Sequence, residues 1–364
     1  MVYVNQVFEF LHSHPEEGWK EYETSKYIIK ELKEMGLEVK EKAGSDTGVI
    51  GILDTKKAGP ILGLRGDIDA LVFEKDGEKY CFHACGHSAH GAMVLATAKR
   101  FAENPPSHGK IYFIFQPAEE VLGGAESIVA SHVIDDVQEI FGIHLRPEYE
   151  TPMGEATPAL VHAASQRILA TIHGKNAHGA RPHLGVNAVE IAVAITEALQ
   201  RLHFNPKIGH SLKVTKIVGG SDMVNIIPDR CEIGMDIRAV ENGLMDEMLK
   251  KIKETMIGIT SLMGGELTFD LQGGVPAAEY DEELIESARV AIEKVLGKAA
   301  PIVYTEGGED FHYYTQLLKA KSVYLGLGCG LVPGLHDPEM TFNEDALANG
   351  VDILEELLKL RLGE

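Results

Sequence analysis

Between positions 83 and 90 the chain reads His83-Ala84-Cys85-Gly86-His87-Ser88-Ala89-His90, three histidines and a cysteine in eight residues. Two adjacent glutamates, Glu119 and Glu120, follow an apolar run further on. Thiolate, imidazole and carboxylate are the side chains that hold divalent transition metals. A second carboxylate beside the ligating one leaves a group free to move protons. A hydrolytic metal site needs this set. A lone buried histidine is more often a satisfied core residue, and His12, His14, His108, His132 and His203 are read that way. Packing gives no reason for Cys-Gly-His beside two further histidines. Paired glutamates are commonly a solvated turn, but these follow a buried run and Gln116-Pro117-Ala118.

Strand-like runs occur at Gly48–Leu53, Pro60–Leu64, Lys110–Phe115 and Ile140–Leu145. Helical periodicity covers residues 17–35, stopped by Gly36, and Ala92–Glu103. Near-continuous apolar strands alternating with helices predict a parallel or mixed sheet covered on both faces. Ligands of such sheets bind beyond the carboxyl ends of the strands. Asp67 and Asp69 follow one strand, Glu119 and Glu120 another, and His144 ends a third. Cys85 and His87 sit on a loop at a helix N-terminus, and His336 in the Gly/Pro-rich loop Pro333–Pro338.

The pattern changes near Ala163. Predicted strands at Arg167–Ile172, Leu212–Val218, Ile226–Ile237 and Glu266–Leu271 alternate with helices at Val186–Leu202 and Leu244–Met263. The order β-α-β-β-α-β is that of the split βαβ sandwich. Gly273-Gly274 marks the return, followed by a helix over 281–296, a strand at Ser322–Leu327 and a helix over 344–361. The expected fold class is therefore α/β: a mixed-sheet catalytic domain over 1–162 and 273–364, interrupted by a ferredoxin-like α+β lid over 163–272.

The 364 residues carry a formal charge of −21, which repels phosphate backbones and anionic bilayers. Neither nucleic acid nor membrane is an expected partner. No stretch approaches 18 apolar residues. No basic-then-apolar leader opens the chain, and its four cysteines make no disulfide framework. A cytoplasmic location is expected.

Several stretches resemble the aminoacylase-like branch of the dinuclear metallopeptidase and amidohydrolase superfamily. They are Arg65–Leu71, His83–His90, Phe115–Glu120, Gly142–His144, His178–His183, Asn225–Asp229, Gly308–Phe311 and Leu335–Pro338, in the family's order along nearly the whole chain. That branch contains N-acyl-amino-acid amidohydrolases, hippurate hydrolases and plant auxin-conjugate hydrolases. The resemblance implies two divalent ions, Zn or Mn with Co or Ni also accommodated, held by Cys85, His87, Glu120, His144 and His336. Cys85 would bridge them, with His87 and His144 on one ion and Glu120 and His336 on the other. It implies Glu119 as general base and acid, and Asp67 as the carboxylate fixing a ligand histidine's tautomer. The role of His90 stays open. His178, Asn225 and Arg238 would face the substrate, although Arg238 reads equally as a surface strand residue. The expected substrate is a small N-acyl amino acid or related amide, with the lid also serving a homodimer.

Two departures stand out. Ser88 replaces the aspartate that usually follows Cys-Gly-His, which would weaken the support of a ligand, and the stretch from Leu71 to His83 is shorter than usual. A dipeptidase or carboxypeptidase on the same scaffold is the nearest alternative. A catalytically idle metal-binding dimerisation protein is the alternative of another class.

Overall fold

The computed structural model of the chain describes residues 3–305 and 307–364. It forms two compact units, Met1–Val161 with Glu279–Thr305 and Glu309–Glu364, and His162–Ala278 with Glu306–Gly308.

The first unit is built on a seven-stranded sheet. Its spatial order is Glu38–Glu41, Val49–Asp54, Lys110–Gln116, Ile61–Asp67, Glu139–Pro147, Lys321–Leu331 and Ala156–Thr157. The four strands from Lys110–Gln116 to Lys321–Leu331 run parallel, and those flanking them are antiparallel. The sheet is mixed, as expected. Continuous apolar runs follow from burial on both faces. Ile111, Phe113 and Phe115 enter the core under helices Tyr3–Ser13, His87–Glu103 and Ala346–Leu362. Tyr112 and Ile114 enter a second core on the other face with Ala125, Ile128, Phe311 and Tyr314.

Elements of the first unit differ from the sequence reading in places. Helix Tyr3–Ser13, with Val4, Val7, Phe8 and Leu11 buried on one stripe, was not anticipated. The helix expected from residue 17 begins at Tyr22, because Trp19 turns left-handed (φ 70°) and Glu21 directs its side chain away from the helix start. The short stretch after Leu71 is a hairpin, Leu71–Lys75 against Glu78–Phe82. Its Asp76-Gly77 turn has φ of 54° and 84°, the signature of a type I′ connection.

The second unit has a four-stranded antiparallel sheet in the order His210–Gly219, Arg230–Ala239, Ala164–His173, Glu266–Val275. Helices Ala188–Leu199 and Asn242–Leu262 pack against it through Ile191, Ile195, Met248, Ile252 and Met256. Asn187 caps the first helix by accepting the Val189 and Glu190 N–H groups. The last strand runs through Gly273-Gly274 to Val275 instead of stopping at Leu271. The ladder shifts register at Gln166/Arg167, and a Cβ on Gly274 would fall 2.4 Å from Gln166 Oε1. The glycine pair therefore serves a bulge within the strand. No helix among the described residues is long and apolar enough to cross a membrane.

Candidate metal centre

The parallel strands bring the chemistry-bearing residues to one edge. Asp67 pairs with Gln116 at the last rung of two neighbouring strands, and His144 lies opposite Gly326 on the next pair. Gly86, at φ 87°, caps helix His87–Glu103, so Cys85 and His87 flank the glycine that starts it. A Cβ there would sit 3.0 Å from Leu145 Cδ1, so both the conformation and the space call for glycine.

Among the described residues five groups of three candidate ligands have their ligand atoms within 4.8 Å of one another, and two of these contain the cysteine: Cys85–His87–His144 and Cys85–Glu120–His336. Cys85 belongs to both. Its Sγ lies 3.4 Å from His144 Nε2, and Glu120 Oε1 lies 3.8 Å from His87 Nε2 and 3.7 Å from His336 Nε2. His87 Nε2 and Glu120 Oε1 are buried without a hydrogen-bond partner. Buried polar atoms are almost always satisfied. A dication held in each group would give each of these atoms a partner, so the residues present fit two divalent ions.

Hydrogen bonds behind the ligands select their tautomers. His87 Nδ1 faces Asp69 Oδ1 at 3.0 Å and the Asp69 carbonyl at 3.1 Å, which leaves Nε2 for the site. His144 Nδ1 faces the Leu145 carbonyl at 2.6 Å, again freeing Nε2. The expectation that Asp67 orients a ligand is corrected here. Asp67 Oδ1 accepts from His90 Nδ1 at 2.7 Å, and Oδ2 accepts from Arg65 at 2.6 Å. His90 Nε2 in turn accepts the Leu145 N–H at 2.9 Å. Both nitrogens of His90 are thus engaged, and it braces the strand carrying His144 from behind.

Glu119 is buried with its Oε2 3.9 Å from His87 Nε2. Burial, then Glu309 and Glu120, pushes its carboxyl well above the usual range. Burial lifts Glu120 to about 7 against the pull of His87. Burial, with Glu120 beside it, also pushes the Cys85 thiol up. Burial and neighbouring His90 hold His144 well below its usual value. Acids crowded in this way stay protonated unless positive charge joins them, and a bound dication inverts that balance.

A model of peptidase family M20/M25/M40 matches residues 63–360. The chain belongs to that family. An M20 protein of known structure, the Bacillus subtilis YXEP protein described as a dinuclear metal binding peptidase, superposes with a TM-score of 0.83 at 27% identity, covering 99% of this chain and 98% of that one. The N-acetyl-L-cysteine deacetylase of Bacillus subtilis is 32% identical over 96% of this chain and 86% of its own length. Thermostable carboxypeptidase 2 of Saccharolobus solfataricus is 30% identical over 96% and 92% respectively. The M20 chain is a metal-dependent hydrolase of amide C–N bonds.

Of the residues expected at the site, Cys85, His87, Glu119, Glu120, His144 and His336 come together, and Asp67 lies beside them bound to His90 and Arg65. His336 is the most exposed of these and adopts φ 63°, with its N–H on the Ala84 carbonyl at 2.7 Å. His178, Asn225 and Arg238 belong to the second unit. There His178 pairs with Ile226, next to Asn225, whose carbonyl accepts the Gly179 N–H. Arg238 lies 3.3 Å from Asp236 and lines a cleft of about 600 Å³ with His210 and Lys213. Ser88 is turned toward His12, 3.1 Å from its Nδ1, so the support of His87 by Asp69 does not pass through position 88.

Sequence reasoning missed the buried network around Arg65. Its guanidinium donates to Gln116, Asp67, Tyr324, Glu309 and Asp310 at 2.6–3.1 Å. An arginine inside an otherwise apolar strand was the available signal, since a buried charge demands partners.

Proposed function

We propose that the chain hydrolyses small N-acyl amino acids, with Cys85 shared by two ions, His87 and His144 completing one and Glu120 and His336 the other. The observation carrying this reading is the presence of Cys85 in both three-residue groups, around two buried atoms that lack partners. The acyl-amino-acid substrate is supported by the deacetylase relative. A bound dication would polarise a carbonyl and lower the pKa of a coordinated water toward neutrality. Thiolate draws the site toward Zn, and carboxylate accommodates Mn.

Glu119 acts as the base. Its Oε2 lies 3.9 Å from His87 Nε2, and it shares a cluster with His87 and Glu120. It takes the proton of the attacking water and passes it to the leaving nitrogen as the C–N bond breaks, giving carboxylic acid and free amine. His178, Asn225 and Arg238 are assigned, on the family resemblance, to the substrate carbonyl oxygen and carboxylate. The segment 163–272 serves as an inserted lid. Edge strand His210–Gly219, with Ile217 and Val218 exposed, supports pairing with a second copy. The four unpaired thiols support a cytoplasmic setting.

The test is Glu119→Gln assayed on N-acetyl and N-benzoyl amino acids and on dipeptides, with Zn, Mn and Co supplied separately. A general acid–base group contributes about 10²–10⁴ in rate, so turnover falls by that factor while metal content holds. Wild-type turnover by Glu119→Gln refutes the assignment. A second reading, carboxypeptidase action, is favoured by the carboxypeptidase relative, and the dipeptide arm of the panel decides it.

A further inference from the structure

The turn that presents Glu119 and Glu120 is held from two sides. Asp69 Oδ2 accepts the Glu120 N–H at 3.0 Å, and Glu21 Oε1 accepts the Ala118 N–H at 2.9 Å. Glu119 is therefore bracketed by two anchored amides. The turn needs anchoring, because Ala118 and Leu122 both adopt left-handed φ, 57° and 59°, which non-glycine residues rarely take.

Glu21 reaches the turn from a segment that packs on it throughout. A Cβ on Gly18 would meet Ala118 Cα and Val121 Cγ2 at 3.2 Å, and one on Gly123 would meet Trp19 Cζ2 at 2.8 Å. Trp19 is itself left-handed, and its N–H also goes to Glu21 Oε1, at 3.0 Å. The second carboxylate oxygen accepts from Thr47 Oγ1 at 2.7 Å. Glu21 is fully buried, and burial lifts its carboxyl to about 7. A group so placed acts by accepting hydrogen bonds more than by carrying charge.

We propose that Glu21 is a positioning residue for catalysis: it fixes the left-handed turn at Ala118 and thereby the carboxylate of Glu119. The inference rests on the role of Glu119 proposed above. Glu21→Asp keeps the acid but withdraws it by one methylene, so it no longer reaches the Ala118 N–H. A misplacement of ~1 Å at a reacting group costs about 10²-fold in rate, and kcat of the metal-loaded variant falls toward that extent. KM and metal stoichiometry stay at their wild-type values. Trp19, the sole tryptophan, reports independently: its emission shifts in Glu21→Asp as the bracket loosens.

Glu21→Gln, which keeps the Oε1 acceptor and offers an N–H to Thr47, recovers most of the rate and the wild-type emission. Ala118→Gly added to Glu21→Asp recovers part of the rate, because glycine takes the left-handed φ without strain. Wild-type kcat and emission in Glu21→Asp overturn the proposal, as does a loss of bound metal that parallels the loss of rate. A Glu21→Gln variant as impaired as Glu21→Asp overturns it too. If the reading of Glu119 fails instead, Glu119→Gln is active, a result that Glu21 variants cannot produce.

Discussion

Asp69 holds His87 by its ring: Oδ1 lies 3.0 Å from His87 Nδ1, while Oδ2 of the same carboxylate accepts the Glu120 N–H. One buried side chain thus orients one candidate ligand and anchors the main chain of another. Partners of this kind behind a metal ligand typically change affinity by about 10–100-fold. Asp69→Ala is expected to weaken metal binding by that factor, read by competition with a chelating dye. Asp67→Asn, which acts one step further back through His90, costs less. Equal losses in the two variants would return the orienting role to Asp67.

Cys85 belongs to both groups of candidate ligands, whereas His336 belongs to one. Cys85→Ala is expected to lower occupancy of both ions, and His336→Ala to leave one in place. Elemental analysis after dialysis at fixed free metal distinguishes them. Retention of two ions per chain by Cys85→Ala would remove the thiolate from the proposal.

Arg65 is buried against Asp67, Glu309 and Asp310. Removing one partner from a buried ionic network costs about 3–5 kcal/mol, because the remaining charges lose their compensation. Arg65→Met is expected to lose that much in urea unfolding. A loss below about 1 kcal/mol, the range of a surface pair, would show that the acids are neutral without it.

Glu21 gives the fold a pH dependence of known sign. Its carboxyl rises from 4.5 to about 7 on burial. Between those values the unfolded chain releases a proton that the folded chain keeps, so this group's contribution falls as pH rises, by about 1.4 kcal/mol per unit. Below 4.5 both states are protonated and above 7 both are ionised, so the difference is flat there. Urea melts of wild type and Glu21→Gln from pH 4 to 8 should show wild type losing ground across that window. A constant difference would mean that the Glu21 carboxyl titrates alike in the folded and unfolded chain.

Most of the candidate metal centre was legible because the residues that could hold ions stand at strand ends and at a helix start, where apolar runs give way to Cys, His and Glu. The Lys110–Phe115 run predicted its strand, since burial on two faces writes a continuous apolar signal. The Tyr3–Ser13 helix was not read from the sequence although Val4, Val7, Phe8 and Leu11 form a regular buried stripe, because so short a period carries a weak signal. Asp67 was preferred to Asp69 because sequence shows that two carboxylates follow a strand but not which faces His87. Strand alternation points Asp67 back to Arg65 and His90, and the next residue pair turns Asp69 forward. Glu21 was invisible: its partner Ala118 is 97 residues away, and its contact is to an amide that carries no side-chain signature.

The groups that surround Cys85 are drawn from positions 87, 120, 144 and 336, on separate stretches of the first unit. No local fragment can assemble them, so full affinity for both cations arises only after the distant segment carrying His336 has docked. Ion binding therefore favours the completed unit over every partly folded species by mass action. Chelation should loosen the carboxy-terminal return of the chain and its amino-terminal half as one cooperative block, which makes cation supply a determinant of how long the enzyme survives as well as of how fast it works.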